Sequence, residues 1–384
     1  MNSNANLGRS IFASGKIFTH FYFNVIIILC PPGRGGGTET IMGITIKDIA
    51  KISGVGISTV SRVLNNTGYV SDEVRQKVMK TVRDYNYIPN ISARNLKSND
   101  SKNIAILAKG ITNPFFNKMI RVIEEKAALR GYSLIIQNVD DHVNELDLAI
   151  REARSRNLCG VILMGGTFGY STERFRQLGI PCVLVTVSAS DDIPPELYSS
   201  VKIDDEKEGF RATEYLISLG HKNIGFIYDP STDRLTPNRL RFMGYQRALK
   251  ENGIPFDPSL VADNTDAPFY SGYLTGFNAM KQLYTRNPEI TAVFAFADVL
   301  ALGAMKAVFS MGLKIPDDIS IVGFDGIDAG EFYNPSLDTI YQPASEMALS
   351  SIEFLFDMLQ GSPSQHTVYD AVLTKRGSCK PPKN

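Results

Sequence analysis

The stretch Ile44–Asn65, ITIKDIAKISGVGISTVSRVLN, decides the first reading of the chain. Thr45 is placed to cap a helix, and Asp48, three residues on, can complete a capping box. Ile46, Ile49, Ala50 and Ile52 then recur at three- and four-residue spacing and predict one apolar helical face. Gly54-Val55-Gly56 breaks that helix. A second begins at Ile57, turns Val60, Val63 and Leu64 inward, and leaves Ile57, Ser58, Thr59 and Arg62 pointing away from the core. Two helices joined by a three-residue glycine turn predict a helix-turn-helix, whose second helix enters the major groove of DNA. Short hydroxyls and one Arg on the outer face are the donors used on phosphates and guanine edges.

A third amphipathic helix follows at Ser71-Asp72-Glu73, with its cap and acidic first turn in order. It is expected to bury Val74, Val78 and Val82, and Pro89 in Tyr85-Asn-Tyr-Ile-Pro-Asn90 forces a stop. The segments TIKDIAKISGVGISTVSRVLNN, VSDEVRQKV and YNYIPNISARNL resemble the head of the LacI/GalR transcription regulators. That resemblance implies a hinge helix over Asn90 to Leu96, with Ala93 and Leu96 facing the minor groove and Leu96 wedged at a base step. Gly56 departs from the family, which usually has Ser there as cap of the recognition helix, and Gly is a tolerated cap. Ile57, Ser58 and Arg62 are expected to read bases, Ile57 only by apolar contact. Thr45, Thr59, Ser61 and Asn65 are expected to hold phosphates, and Ile46, Asn90, Ala93 and Leu96 complete the DNA-binding set. One such head buries too little for tight specific binding, so a dimer reading a pseudo-palindromic operator in double-stranded DNA is expected.

The chain has 384 residues, 43% hydrophobic and 21% charged, which describes two or three ordinary globular domains. Net charge is zero overall, but residues 42–100 carry nine Lys and Arg against five Asp and Glu, while 101–384 carry 28 against 34. A basic head on an acidic body suits a DNA binder whose body does not touch DNA. Cys30, Cys159, Cys182 and Cys379 show no paired spacing, and the four histidines are scattered, so no zinc pattern can be built. No nucleophile elbow and no phosphate-binding glycine loop appear, so no catalytic residue, metal or cofactor is expected. Residues 1–41 do not match the rest. Phe21 to Cys30, FYFNVIIILC, is too short to span a bilayer and lacks a small-residue cleavage site. The expectation is that Met42 is the true start and 1–41 translated upstream sequence, the alternative being a disordered arm.

From Ser98 the texture changes to a polar linker and then alternating strands and helices. Asn103–Ala108, Gly160–Met164, Asn223–Tyr228 and Ala292–Phe296 read as buried strands, and helices are expected at 114–131, 205–219, 239–252 and 298–311. Alternation of this kind predicts parallel sheets between helices. Two series in tandem give two doubly wound lobes with a ligand crevice at the strands' carboxyl ends. The residues at those ends are Asn113-Pro-Phe-Phe116, Thr186, Ser188, Arg239, Arg241, Tyr270, Asp298 and Asp325. Planar Arg and acceptor Asp fix a polyol or carboxylate, and aromatic rings cover apolar faces.

The resemblance extends over 44–377, carried by NPFF, VKIDDEKEGFRATEYLISLGHKNIGFI, RLRFMGYQRAL, AVFAFADVLALGAMKAV, IPDDISIVGFDGID, YQP and VLTKRGSC. It implies an α/β periplasmic-binding-protein-like effector domain, homodimerisation through it, and an inter-lobe site for a sugar, nucleoside or related small molecule. Phe115, Phe116, Arg241 and Asp325 fall on the usual effector positions, and Thr186 and Tyr270 complete the expected set. Ala297 and Gly326 depart from the pattern, replacing a common Asn and a second acidic residue. The expected organisation is therefore an extension at 1–41, an all-α helix-turn-helix domain at 42–89, hinge helix and linker at 90–101, and the effector and dimerisation domain at 102–384. Lobe 1 is expected over about 102–203 plus about 327–343, and lobe 2 over about 204–326 plus about 344–384. The reading is a cytoplasmic transcriptional repressor, not an enzyme and not membrane-bound. A transport-type binding protein and a cleft enzyme are the rivals. The first would leave the head without a use, and the second lacks a nucleophile.

Overall fold

The computed structural model describes residues 44–65, 67–85, 87, 101–140, 142–166, 169–228, 236–263 and 272–383. The expectations for 1–41, for Asn90, Ala93, Leu96 and Tyr270, and for the Asn65 side chain lie outside the described residues. The chain divides into two compact units, 1–89 and 90–384.

The first unit contains α1 (Ile46–Ser53), α2 (Ile57–Asn65) and α3 (Asp72–Asp84). The capping box forms: Thr45 N and Oγ1 donate to Asp48 Oδ2 at 2.9 and 2.6 Å. Gly54 ends α1 at φ +65°, a left-handed conformation that a side chain would strain. Ile49, Ala50, Val60, Val63 and Val78 make the small core. Ile52, expected on the apolar face, is 45% exposed. At about 100° per residue it falls beside the stripe that Ile49, Ala50 and Ser53 share. Ser53 takes the buried place, its hydroxyl donating to the Ile49 carbonyl at 2.5 Å. Ser71 precedes α3 but makes no side-chain cap, and Val74 and Val82 are half-buried around Val78.

The second unit is built on two six-stranded sheets. Sheet A has the order β11-β5-β4-β3-β1-β2 and sheet B the order β12-β10-β9-β8-β6-β7. The strands are β1 (Asn103–Ala108), β2 (Ser133–Asn138), β3 (Leu158–Met164), β4 (Cys182–Val185), β5 (Ser199–Ile203) and β6 (Ile224–Tyr228). They continue as β7 (Val261–Asp263), β8 (Ala292–Ala295), β9 (Ser320–Asp325), β10 (Asp338–Tyr341), β11 (His366–Tyr369) and β12 (Val372–Thr374). All pairings are parallel except β10 with β12. The continuous apolar runs of β1, β3, β4 and β8 suit strands covered on both faces.

On sheet A, α4 (Pro114–Leu129) packs on one face, and α5 (Glu145–Ser155) and α6 (Thr172–Leu178) on the other. Sheet B carries α7 (Asp205–Ser218), α8 (Pro237–Glu251), α9 (Gly272–Arg286) and α10 (Asp298–Ser310), followed by the short α11 (Asp328–Phe332). Helices α7 and α8 touch backbone to backbone: a Cβ on Gly244 would collide with the Glu206 carbonyl oxygen.

The late segments exchange lobes relative to expectation. Residues 338–341 form β10 beside β9 in sheet B, so the 327–343 segment belongs with lobe 2 up to Tyr341. Helix α12 (Ala344–Leu359) then lays Met347, Ala348, Ile352, Leu355 and Phe356 against α4 and sheet A, and β11 joins β5 there. Strand β12 returns to sheet B. The chain thus passes between lobes three times, at 203–205, 341–344 and 369–372. The apolar stripe of α12 is buried on sheet A beside α4.

Replacing Gly244 by Ala should lower the unfolding free energy of the body by ~1–3 kcal/mol, read from urea unfolding, because the close helix contact has no room for a methyl.

Candidate DNA-reading face and effector cleft

On α2, Val60 and Val63 are buried, and Ile57, Ser58 and Arg62 stand exposed on the other side. Thr59 and Ser61 are half-buried, and so is Ile46 at the start of α1. Thr45 is exposed, yet its hydroxyl proton is committed to Asp48 within the capping box, so its expected phosphate bond has lost its donor. Gly68, at φ +68°, runs beside the Arg62 stem, its Cβ position lying 3.6 Å from Arg62 Cδ. Next to it Tyr69 is 93% exposed. Sequence reading passed over Tyr69, whose signal is an aromatic residue with no apolar periodicity around it.

The carboxyl ends of the two sheets face each other, joined by a chain of polar contacts. Asn113, N-cap of α4, accepts from Phe115 N through Oδ1 and donates through Nδ2 to Asp325 Oδ2 at 2.9 Å. Asn113 follows β1 in lobe 1, and Asp325 ends β9 in lobe 2. Asp325 Oδ1 accepts from Gln342 Nε2 at 2.9 Å. Arg241, on α8, donates from Nε to Asp205 Oδ1 at 2.8 Å and from Nη1 to the Phe296 carbonyl at 2.7 Å. Its Nη1 also lies 3.6 Å from Asp325 Oδ1, and the guanidinium stacks 3.6 Å over the Phe324 ring.

Of the expected effector residues, Arg241 and Asp325 therefore meet, and Asn113 ties the Phe115-Phe116 turn to them. Phe115 is a core side chain, while Phe116 is half-buried, edge-on to it at 5.4 Å. Of the two rings, Phe116 is the one left partly exposed beside this cluster. Thr186 lies after β4 in lobe 1 at φ +67°, a strained value for a β-branched residue. Its buried hydroxyl has no hydrogen-bond partner. Asn113 and Asp298 stand among the strand-end residues named from the sequence but outside its expected effector set, and Gln342 and Asp205 are in neither. Asp205 is hidden in the acidic run Asp204-Asp205-Glu206, which reads as a solvated helix start.

Two family models match this chain: the bacterial regulatory proteins, lacI family, over residues 45–90, and a periplasmic binding protein-like domain over 213–379. The HTH-type transcriptional regulator MalR of Clostridium butyricum is 40% identical over 340 residues, covering 87% of this chain and 98% of the relative. The repressor CytR of Escherichia coli K12 is 36% identical over 344 residues, covering 88% and 96%. This chain belongs to the lacI family. Among solved structures, the lac repressor dimer bound to operator and the anti-inducer ONPF is 25% identical with a TM-score of 0.67, over 88% of this chain and 100% of that one. A CelR–cellobiose complex is 26% identical with a TM-score of 0.62, over 87% and 99%.

The cleft of this lacI-family regulator is rich in buried carboxylates. Asp298 accepts from Thr339 Oγ1 at 2.7 Å and from the Gly326 and Ile327 amides at 2.8 Å. Burial, and next the Asp325 charge, push Asp298 from its ordinary 3.8 up to about 8. Burial likewise raises Asp325 to about 6, against the pull of Arg241. The departures at Ala297 and Gly326 have a local reason at the second position. Gly326 sits at φ +76°, and a Cβ there would strike the Tyr341 ring. Ala297 is buried ahead of α10 and offers no side-chain cap. Burial raises the Cys159 thiol to about 11 and pushes Cys182 and Cys379 up as well, which keeps them from acting as nucleophiles. Among the described residues no group of three His, Cys, Asp or Glu could hold a metal ion, and no helix is long and apolar enough to cross a membrane.

Because Asp298 and Asp325 hold protons in the folded state that the unfolded chain has released, stability should fall as pH rises from about 4 to about 8. Asp298→Asn keeps the shape and removes one of these groups, so the fall in urea midpoint between about pH 5 and 8 should flatten.

Proposed function

We propose that this regulator is a repressor that binds a pseudo-palindromic operator as a homodimer and releases it when a sugar-type effector occupies the cleft. The observation that carries the reading is the exposed Ile57-Ser58-Arg62 face on the same chain as a two-lobed cleft lined by Phe116, Arg241 and Asp325. CytR is a repressor by name, the lac repressor structure contains operator, and the CelR structure contains cellobiose. These support the same division of labour here.

In this reading the head is 42–89, the hinge and linker 90–101, and the effector-binding and dimerisation body 102–384. Ile57, Ser58 and Arg62 read bases. Thr59, Ser61 and Asn65 hold phosphates, with Tyr69 added as a further backbone contact, and Ala93 and Leu96 enter the minor groove. A hinge this short is marginal as a helix by itself and gains order where two hinges meet on DNA. Effector and operator then bias one equilibrium in opposite directions, and each changes the other's affinity by the same factor. The protein works in the cytoplasm, where its operator is, and no catalytic step is assigned to it.

Dimerisation is assigned to lobe 2. Tyr273, Leu274, Phe277, Leu302, Lys306 and Tyr333 line an open groove of about 370 Å³ across α9 and α10, with Leu274 63% exposed. An exposed apolar surface of this kind marks a protein contact, and the dimer in the lac repressor structure supports a second copy as its occupant.

Gel shifts on the protein's own upstream region test the reading, and no shift at low salt with or without sugars sinks it. Arg62→Ala should weaken operator binding by ~1–3 kcal/mol and relax preference at one base pair per half-site. Equal weakening on every sequence would make Arg62 a phosphate contact. Leu274→Asp should shift sedimentation toward monomer and lower operator affinity together, because two half-sites then bind separately.

A further inference from the structure

Lys109, Gly165 and Thr186 follow the ends of β1, β3 and β4. Backbone bonds from Lys109 N to Met164 O (3.0 Å), Gly165 N to Val185 O (3.1 Å) and Thr186 N to Val201 O (2.8 Å) tie them into one row. That row is the ligand edge of sheet A, the edge from which Asn113 reaches Asp325. Lys109 alternates with Ala105 and Leu107 onto the face that α5 covers. Its Nζ meets Glu145 Oε2, on the first residue of α5, at 2.8 Å. Tyr170 Oη donates to Glu145 Oε1 at 2.6 Å.

Two glycines open the loop over this pair. Gly165 and Gly166 take φ +70° and +103°. A Cβ on Gly166 would collide with the Glu145 carboxylate. One on Gly165 would stand 2.9 Å from the Lys109 carbonyl oxygen and 3.4 Å from Phe116 Cζ. The ion pair and the candidate ligand ring thus share one two-glycine loop. In the same row the unpartnered, buried Thr186 hydroxyl needs a polar group from outside the protein.

A buried ion pair adds little stability over apolar packing of the same volume, so the fold by itself does not account for one beside the ligand edge of sheet A. Charge gives a better account. Among the described residues, Lys109 and Arg241 are the buried Lys and Arg side chains. Each already faces carboxylate: Glu145 for Lys109, and Asp205 and Asp325 for Arg241.

We propose that the Lys109–Glu145 pair, braced by Tyr170, is the selectivity element of the cleft. It offers a donor and an acceptor to an uncharged, hydroxyl-rich effector and rejects the phosphorylated form of the same molecule. A phosphate brought here finds its cations neutralised and the Glu145, Asp205 and Asp325 charges repelling it. The inference rests on the effector reading above.

Calorimetric titration of the full chain with glucose, ribose, maltose and cellobiose, against glucose 6-phosphate and ribose 5-phosphate, tests it, with operator gel shifts run for each compound. At least one neutral sugar should bind, and the phosphorylated sugars should bind at least about tenfold more weakly than it. Glu145→Gln removes one negative charge beside Lys109 and should raise the phosphate-to-neutral affinity ratio about tenfold. Tighter binding of a phosphorylated sugar by the wild type overturns the proposal. An unchanged ratio in a folded Glu145→Gln also overturns it, leaving the pair as a loop brace. Should that variant fail to fold, the wild-type comparison still decides. If phosphorylated sugars release operator, the selectivity falls and the regulator reading stands; if no compound in either series binds, the selectivity and the sugar-effector reading fall together.

Discussion

A guanidinium withdrawn from water has to be met by negative charge, and the body of this protein is arranged around meeting one. Arg241 on α8 reaches Asp205 at the start of α7, the Phe296 carbonyl after β8, and Asp325 at the end of β9, lying flat on the Phe324 ring. These partners come from three elements of lobe 2, so the cation fixes where they end relative to one another. Removing one member would leave the others buried without compensation, a loss of several kcal/mol in comparable settings. The contact that carries the arrangement across the cleft is neutral. Asn113 binds Asp325 with its amide while its carbonyl oxygen caps α4, so a change at the Asp325 carboxylate is felt at the first turn of a lobe 1 helix.

The head is held by much less. Among the described residues, five buried apolar side chains and a capping box define it. A core of this size sits near the lower limit for independent stability, where a partner surface is commonly needed. For a DNA reader this is an economical design. The outward residues of α2 are not required for packing, so they can be chosen for base contact.

Much of this was legible in the chain before any coordinates. The capping box at Thr45 and Asp48, the glycine break and the inward Val60 and Val63 follow from local chemistry and appear as expected. Alternating apolar runs gave the two parallel sheets for the same reason. The lobe assignment of 327–384 was not legible, because a crossover leaves no local mark: Gln342-Pro343 reads the same whether the next helix covers sheet A or sheet B. Ile52 was misplaced by one step of helical phase. In the cleft, Arg241 and Asp325 were visible as strand-end residues. Lys109 and Glu145 were not, since each in isolation reads as a solvated charge, and only the fold brings them within 2.8 Å of each other.

The three passages of the chain between lobes have a mechanical consequence. Two bodies strung on three cords can bend about one axis, while twisting or sliding would stretch at least one cord. On the effector reading proposed above, the three passages would confine closure of the cleft to a single scissor-like coordinate. Because the polypeptide enters the body at β1, next to the Lys109–Asn113 turn, that coordinate begins within a few residues of the segment that leads back to the DNA reader.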